Sequence, residues 1–204
     1  MNEVIVKQKQ WIFDRWAPTY DGLLPSVFYQ AIHQRLLSYV QLPEQPNVLD
    51  LGCGTGRLLD RLATQFPTLQ GTGLDLSPQM LQQARRRNRY HPRLIYLQGN
   101  AECLPFAEGQ FDAVFNTISF LHYPQPEVVF AQVSRVLRAG GCFYLADYTA
   151  PTARSSLAKL RFSATGMHFY SSVAREQLGQ SVGLMCQGHH SLLGPILLTR
   201  FLKS

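Results

Sequence analysis

The sequence predicts one α/β domain built on a doubly wound, mostly parallel sheet with helices on both faces. Three observations predict it. From Val48 to Tyr148, short apolar runs alternate with helix-length segments, the grammar of strand–helix–strand units. A glycine-rich turn, Gly52-Cys53-Gly54-Thr55-Gly56, directly follows the first of those runs. An acid, Asp75, closes the second run, roughly the twenty residues downstream at which nucleotide-binding folds of this kind place one.

Taken in order, Glu3 to Trp16 carries apolar residues at loose helical spacing. A helix is expected from Pro25 to Val40, because Phe28, Ile32, Leu36 and Leu37 fall on one face. Pro43-Glu44-Gln45-Pro46-Asn47 then breaks the chain. Val48 to Leu51 reads as the first core strand, and a helix from Leu58 to Gln65 follows the glycines. Gly71 to Leu76 is the second strand, after which Ser77 caps a helix opened by Pro78. Leu94 to Gln98 and Phe111 to Asn116 are the third and fourth strands. A helix from Glu127 to Arg138 stops at Gly140-Gly141, and Cys142 to Tyr148 forms a fifth strand. Beyond Pro151 the pattern loosens into a helix from Val173 to Val182 and two strand-like runs, Leu184 to Leu192 and Pro195 to Leu202. Gly194-Pro195 separates those runs closely enough for a hairpin, so at least one final strand is expected to be antiparallel.

Bulk composition agrees with a globular domain. The chain has 204 residues, 46% hydrophobic and 16% charged, which excludes a disordered polyelectrolyte. No apolar run approaches the ~20 residues that cross a bilayer. Met1 to Trp11 intersperses Glu3, Lys7 and Lys9 and does not read as a signal peptide, so a cytoplasmic location is expected. Cys53, Cys103, Cys142 and Cys186 are dispersed without a CxxC pair and are read as reduced. His189 and His190, adjacent on a strand, point to opposite faces, and no metal site is expected. The net charge of +6 comes from Arg85-Arg86-Arg87 with Arg89 and Arg93, and from a basic stretch after Pro151 that holds one acid, Glu176. Such a balance is compatible with nucleic acid or with peripheral contact to an anionic membrane surface. A solvated helix end accounts for the arginine run equally well.

The chemistry starts at the glycine turn. Glycines after a buried strand let backbone approach a ligand closely and turn helix N–H groups toward it. The spacing is Gly52, Gly54, Gly56, with Asp50 two residues ahead; a dinucleotide fingerprint would need glycine at position 57, which is Arg57. Asp75, at the end of the second strand, can accept both hydroxyl protons of a ribose.

With these features the chain resembles the class I S-adenosyl-L-methionine-dependent methyltransferases, and within them the type-11 group that includes ubiquinone and menaquinone biosynthesis enzymes. Asp50 to Gly56 resembles the first motif and Leu74 to Leu81 the second. Gly99-Asn100-Ala101-Glu102-Cys103-Leu104-Pro105-Phe106 is similar to the adenine-binding loop. Phe111 to Val114 and Arg135 to Gly141 match the fourth strand and the junction before the fifth, and Phe13 to Asp21 resembles the segment that closes over the cofactor. Asn100 stands where the family usually has Asp, and Ala139 where it usually has Pro.

The resemblance implies a Rossmann-like sheet of seven strands, mostly parallel, with an antiparallel strand at the C-terminal end. It divides the single domain into N-terminal helices forming a lid (1–42), a cofactor-binding core (47–148) and a C-terminal helix with hairpin strands (149–204). S-adenosyl-L-methionine is the implied cofactor. Asp50, Gly52, Cys53 and Gly54 would surround its methionine end and Tyr20 would cover it. Asp75 would hold the ribose, Leu76 and Met80 would pack near the adenine, and Asn100, Ala101 and Glu102 would meet the adenine edge. Asn116 would lie near the sulfonium.

Methyl transfer from a sulfonium is a direct displacement, in which protein groups supply positioning and sometimes a base. His122, just after strand four, is the expected catalytic base. The expected acceptor is a small, lipophilic or aromatic molecule with an oxygen or carbon nucleophile. One alternative is an RNA or other nucleic-acid methyltransferase using the basic surface. It is disfavoured because Asn116-Thr117-Ile118-Ser119 lacks the Pro-Pro-aromatic motif of amino-methylating enzymes. A second is a catalytically silent S-adenosylmethionine-binding module. The segment Gly22-Leu23-Leu24-Pro25-Ser26-Val27 departs from the pattern of the quinone enzymes, and the sequence assigns neither the acceptor nor an oligomeric state.

Overall fold

A computed structural model describes residues 23–149, 159–162 and 167–204. The expected helix over Glu3–Trp16 and the cofactor-covering Tyr20 lie outside the described residues. The seven-stranded sheet has the order β3-β2-β1-β4-β5-β9-β8. Its strands are β1 (Asn47–Leu51), β2 (Gln70–Asp75), β3 (Leu94–Gln98), β4 (Phe111–Thr117), β5 (Leu137–Tyr148), β8 (Leu184–Leu193) and β9 (Ile196–Lys203). β1 to β5 pair in parallel, while β9 runs antiparallel between β5 and β8. The hairpin turns at Gly194, at φ +53, as Gly194-Pro195 predicts.

The helices are α1 (Leu23–Leu37), α2 (Arg57–Gln65), α3 (Pro78–Arg87), α4 (Pro126–Val136) and α5 (Ser172–Gln180). Strand alternation sends Val48 to one face of β1 and Leu49 and Leu51 to the other, and each face has its own core. α1, α2 and α3 cover the first face, with Ile32, Leu36, Leu58, Leu59, Leu62 and Leu81 buried. α4 covers the second face with Val129, Phe130, Val133 and Val136, together with Leu178 of α5. Ser77 caps α3 as expected, its hydroxyl accepting from Met80 N at 3.1 Å.

The boundaries depart from expectation at α1, which spans Leu23–Leu37 rather than Pro25 to Val40, and at the junction of α4 and β5. α4 ends at Val136, and β5 begins at Leu137 rather than Cys142. Leu137 is fully buried and pairs with Phe111, so packing against the sheet overrides the helical continuation to Arg138. A two-stranded ribbon, β6 (Lys159–Phe162) with β7 (Met167–Tyr170), appears where the sequence shows only a loosened pattern. Four-residue strands give too short an alternation to register. Among the described residues no helix is long and apolar enough to cross a membrane.

Chain order reverses between β1 and β4: β2 and β3 extend the sheet one way, β5 the other. A crevice therefore opens at the carboxyl ends of β1, β2 and β4, where parallel sheets of this kind bind ligands.

Candidate active site

Three glycines shape the crevice. Gly52, Gly54 and Gly56 adopt φ +68, +52 and +79, a region L side chains rarely enter. At Gly52 space is also short, since a Cβ there would lie 2.6 Å from Ser119 Cβ. The turn is tied to β2 at both levels. Gly52 N and Cys53 N donate to Leu74 O at 2.8 and 3.2 Å, and Gly54 N donates to Asp75 Oδ2 at 2.8 Å.

Asp75 accepts a second backbone bond on Oδ1, from Ser77 N at 2.9 Å. Each oxygen is thus oriented by a main-chain donor, in a residue that lines the cleft. The cleft opens about 780 Å³ of space, including the solvent at its mouth. Of the expected residues, Gly52, Gly54, Asp75, Leu76, Met80, Asn100, Ala101 and His122 line it together.

Four others stand elsewhere. Asp50 and Cys53 line an adjoining recess that shares Gly52 and Gly54 with the cleft, together with His33, Arg57 and Arg61. Burial pushes the Asp50 carboxyl well above the usual carboxylate range, and the Asp75 charge adds to the rise. His33 accepts from Arg61 through Nδ1 at 3.2 Å, because guanidinium only donates. Burial and then the Arg61 charge hold this imidazole down to about 3. Glu102 turns away from the cleft: its carboxylate accepts from Gln125 N at 3.0 Å and Gln125 Nε2 at 3.3 Å. Its own N–H donates to Asn100 Oδ1 at 3.0 Å, which fixes the loop.

Asn116 is fully buried one layer beneath the cleft. Its Nδ2 lies 3.0 Å from Leu51 O, 2.7 Å from Ser119 Oγ and 2.9 Å from Tyr123 OH. Two N–H bonds cannot serve three acceptors at once, so the hydroxyls share them. Ser119 and Tyr123 carry this network to the cleft wall, where both are exposed to its interior. Burial pushes the Tyr123 phenol far above its ordinary range, so the hydroxyl stays protonated.

The sequence reading missed Ser119, Tyr123, Leu74, Gly99, Ile118 and Pro124 as lining residues. Ile118 stands at φ +50, a strained backbone for a β-branched residue, and its N–H is pinned to Ala146 O at 2.8 Å. The only sequence cue to this segment is its position directly after strand four.

A 3-10 turn, Phe120–His122, follows and carries His122 into the cleft wall. It is anchored from below: Asp147 Oδ2 accepts from Leu121 N at 3.1 Å, and Asp147 Oδ1 accepts from Tyr148 N at 2.6 Å. Burial raises the Asp147 carboxyl to about 6, against the lowering pull of Arg175 and these backbone donors. Arg175, itself fully buried, donates to the carbonyls of Asp147, Tyr148 and Leu197 at 3.0, 2.9 and 2.8 Å.

Comparison with known proteins agrees with this geometry. Residues 48–141 match the family described as methyltransferase domain. A fatty-acid O-methyltransferase of Mycolicibacterium smegmatis is 41% identical over 104 residues, 51% of this chain and 38% of that protein. A demethylmenaquinone methyltransferase of Chlorobaculum parvum is 31% identical over 147 residues, 69% of this chain and 59% of that protein. The chain thus spans less than two thirds of either relative. Among solved structures, a chain in the complex of the Haloferax volcanii Trm112 methyltransferase activator superposes with a TM-score of 0.80 at 23% identity, covering 93% of this chain and 96% of that one. That likeness is one of fold. Residues 48–141, which hold the glycine turn and Asp75, thus belong to the methyltransferase-domain family, and the wider chain is similar to class I S-adenosyl-L-methionine-dependent methyltransferases of the type-11 kind.

Proposed function

We propose that the chain transfers a methyl group from S-adenosyl-L-methionine to an oxygen or carbon nucleophile of a small lipophilic acceptor. The observation that carries the acceptor class is the cleft lining. Beside the residues assigned to the cofactor, Leu74, Ile118, Tyr123 and Pro124 form its walls, and His122 is the ionisable side chain there other than the Tyr123 phenol among the described lining residues. No Lys or Arg is among them, so a phosphate-bearing acceptor meets no guanidinium or ammonium from the described lining residues. The arginines gather on a separate surface recess, with Arg57, Arg86, Arg87 and Arg89. The fatty-acid and demethylmenaquinone relatives act on lipophilic compounds by name, which supports the same class.

The residues present fit the cofactor. The turn leaves a cradle that a Cβ at Gly52 would fill, and both Asp75 oxygens are aimed by backbone donors. Gly52 and Gly54 admit the methionine portion, Asp75 accepts from the ribose hydroxyls, and Leu76, Met80, Asn100 and Ala101 hold the adenine. The bound cofactor supplies a methyl group on an electrophilic sulfonium. Ser119 and Tyr123 fix the wall nearest Gly52, and His122 takes the acceptor's proton where the nucleophile is a hydroxyl. The apolar walls exclude water from the reaction.

The test is a transfer assay with radiolabelled S-adenosyl-L-methionine against lipid extracts and against total RNA. Label in the lipid fraction supports the proposal, and label confined to RNA overturns it. The basic recess favours the nucleic-acid reading, for which strong heparin retention with a steep salt dependence is the expected sign.

A further inference from the structure

Away from the cleft, Glu176 of α5 meets Cys186 and His189 of β8, with one ligating atom of each within 4.8 Å of the others. Glu176 Oε1 lies 2.7 Å from His189 Nε2, and Cys186 Sγ lies 3.8 Å from the same nitrogen. A nucleophile–base–acid relay needs the two ring nitrogens to face different partners. Here thiol and carboxylate converge on one nitrogen, the arrangement of ligands around a common point. The other nitrogen, Nδ1, is 3.0 Å from the hydroxyl of fully buried Thr199. Without an ion, Nε2–H donates to Glu176 Oε1; on binding, that proton moves to Nδ1, where the Thr199 hydroxyl accepts it and frees the Nε2 lone pair, the orientation that outer partners impose on metal-bound histidines. Arg175, 3.4 Å from the same hydroxyl, donates to it from below and brings no acceptor to the cluster.

Backbone geometry builds the cluster. Residues three apart on a regular strand point to opposite faces. In β8, Cys186 pairs with Phe201, Gly188 with Arg200 and His189 with Thr199, so Gln187 and Gly188 together oppose one residue of β9. This bulge shifts the alternation by one and places Cys186 and His189 on the same face, beneath α5. Gly188 takes φ +130 there. His190 goes to the other face, where it stacks on Tyr39 at 4.2 Å. Bulges that re-aim a side chain are common beside functional sites.

We propose that Glu176, Cys186 and His189 bind a borderline-soft divalent cation of the zinc class, with water completing a four-coordinate site. Glu176 is exposed and the other two half-buried, so an ion reaches them from solvent. Burial raises the Cys186 thiol, and the Glu176 charge adds to it. On binding, the S–H bond breaks, a metal–thiolate bond forms and the proton leaves to solvent. The ion would clip α5 to the sheet's edge strand.

The experiment titrates the full chain with Zn²⁺ against a chromophoric chelator, and with Co²⁺ by absorbance, for the wild type, Cys186→Ser, His189→Gln and Glu176→Gln. Expected are one-to-one binding, a thiolate-to-cobalt charge-transfer band, and affinity losses of roughly tenfold or more in each variant. A wild type without the band overturns the site, as does a band that persists in Cys186→Ser, which would place the ion on another cysteine such as the exposed Cys103. Glu176→Gln changes an exposed side chain only, so unchanged affinity in that variant overturns it too, whatever the fold of the others.

Discussion

Gly54 donates its backbone N–H to Asp75 Oδ2 at 2.8 Å, so the glycine turn and the acid of the second strand form one unit. Asp75→Ala removes that anchor and the expected ribose acceptors together. Charge-assisted hydrogen bonds contribute about 1.5–3 kcal/mol each, so S-adenosylhomocysteine should bind at least roughly tenfold more weakly by calorimetry. Asp75→Asn should be nearly as damaging, because one amide position then faces Gly54 N or Ser77 N donor to donor. Unchanged affinity in both variants would remove Asp75 from the site.

Gly52→Ala combines a left-handed backbone with a Cβ 2.6 Å from Ser119 Cβ. A loss of about 2–4 kcal/mol in urea unfolding is expected. The double variant Gly52→Ala/Ser119→Gly should recover part of it, the remainder being backbone strain. No recovery would show that the two residues do not collide.

His122→Gln tests the base. The expected fall in kcat is about 10²–10⁴ with cofactor affinity unchanged within roughly threefold. A uniform loss of cofactor binding would instead mark His122 as part of the cofactor's wall.

Asp147 couples stability to pH. Unfolded, its carboxyl ionises near 3.8, whereas burial holds its proton up to about 6 in the folded chain. Folded molecules therefore carry more protons than unfolded ones between about pH 4 and 6, and this residue's contribution falls as pH rises through that window, by at most ~1.4 kcal/mol per pH unit. His33 acts in the opposite sense. Its folded value of about 3 means its contribution is lost as pH falls from about 6.5. The informative quantity is thus a difference: stability of Asp147→Asn should rise more steeply with pH between 4 and 6 than that of the wild type. Parallel curves would contradict the raised carboxyl.

The core strands and helices were legible because each carries its own local mark. Apolar runs of strand length, Ser77-Pro78 and the three glycines depend on neighbours in sequence, and the structure reproduces them. The cleft was legible where backbone chemistry constrains residue type, as at Gly52 and Asp75. It was not legible where a side chain's direction depends on distant packing. Glu102 belongs to a recognisable loop, yet its carboxylate is drawn to Gln125. Asn116 ends the right strand but is buried under Ser119 and Tyr123. The register shift at Gly188 is likewise invisible without the partner strand, although it decides which side Cys186 faces.

The order β5-β9-β8 has a consequence for how the protein is made. β8 precedes β9 in the chain but touches the sheet only through it. While a ribosome is still translating the hairpin, β5 is an unpaired edge rich in Phe143, Tyr144 and Leu145, and β8 has no place to dock. Synthesis therefore passes through a stage with an apolar strand edge open to other chains, which closes when β9 slides in as the inner strand.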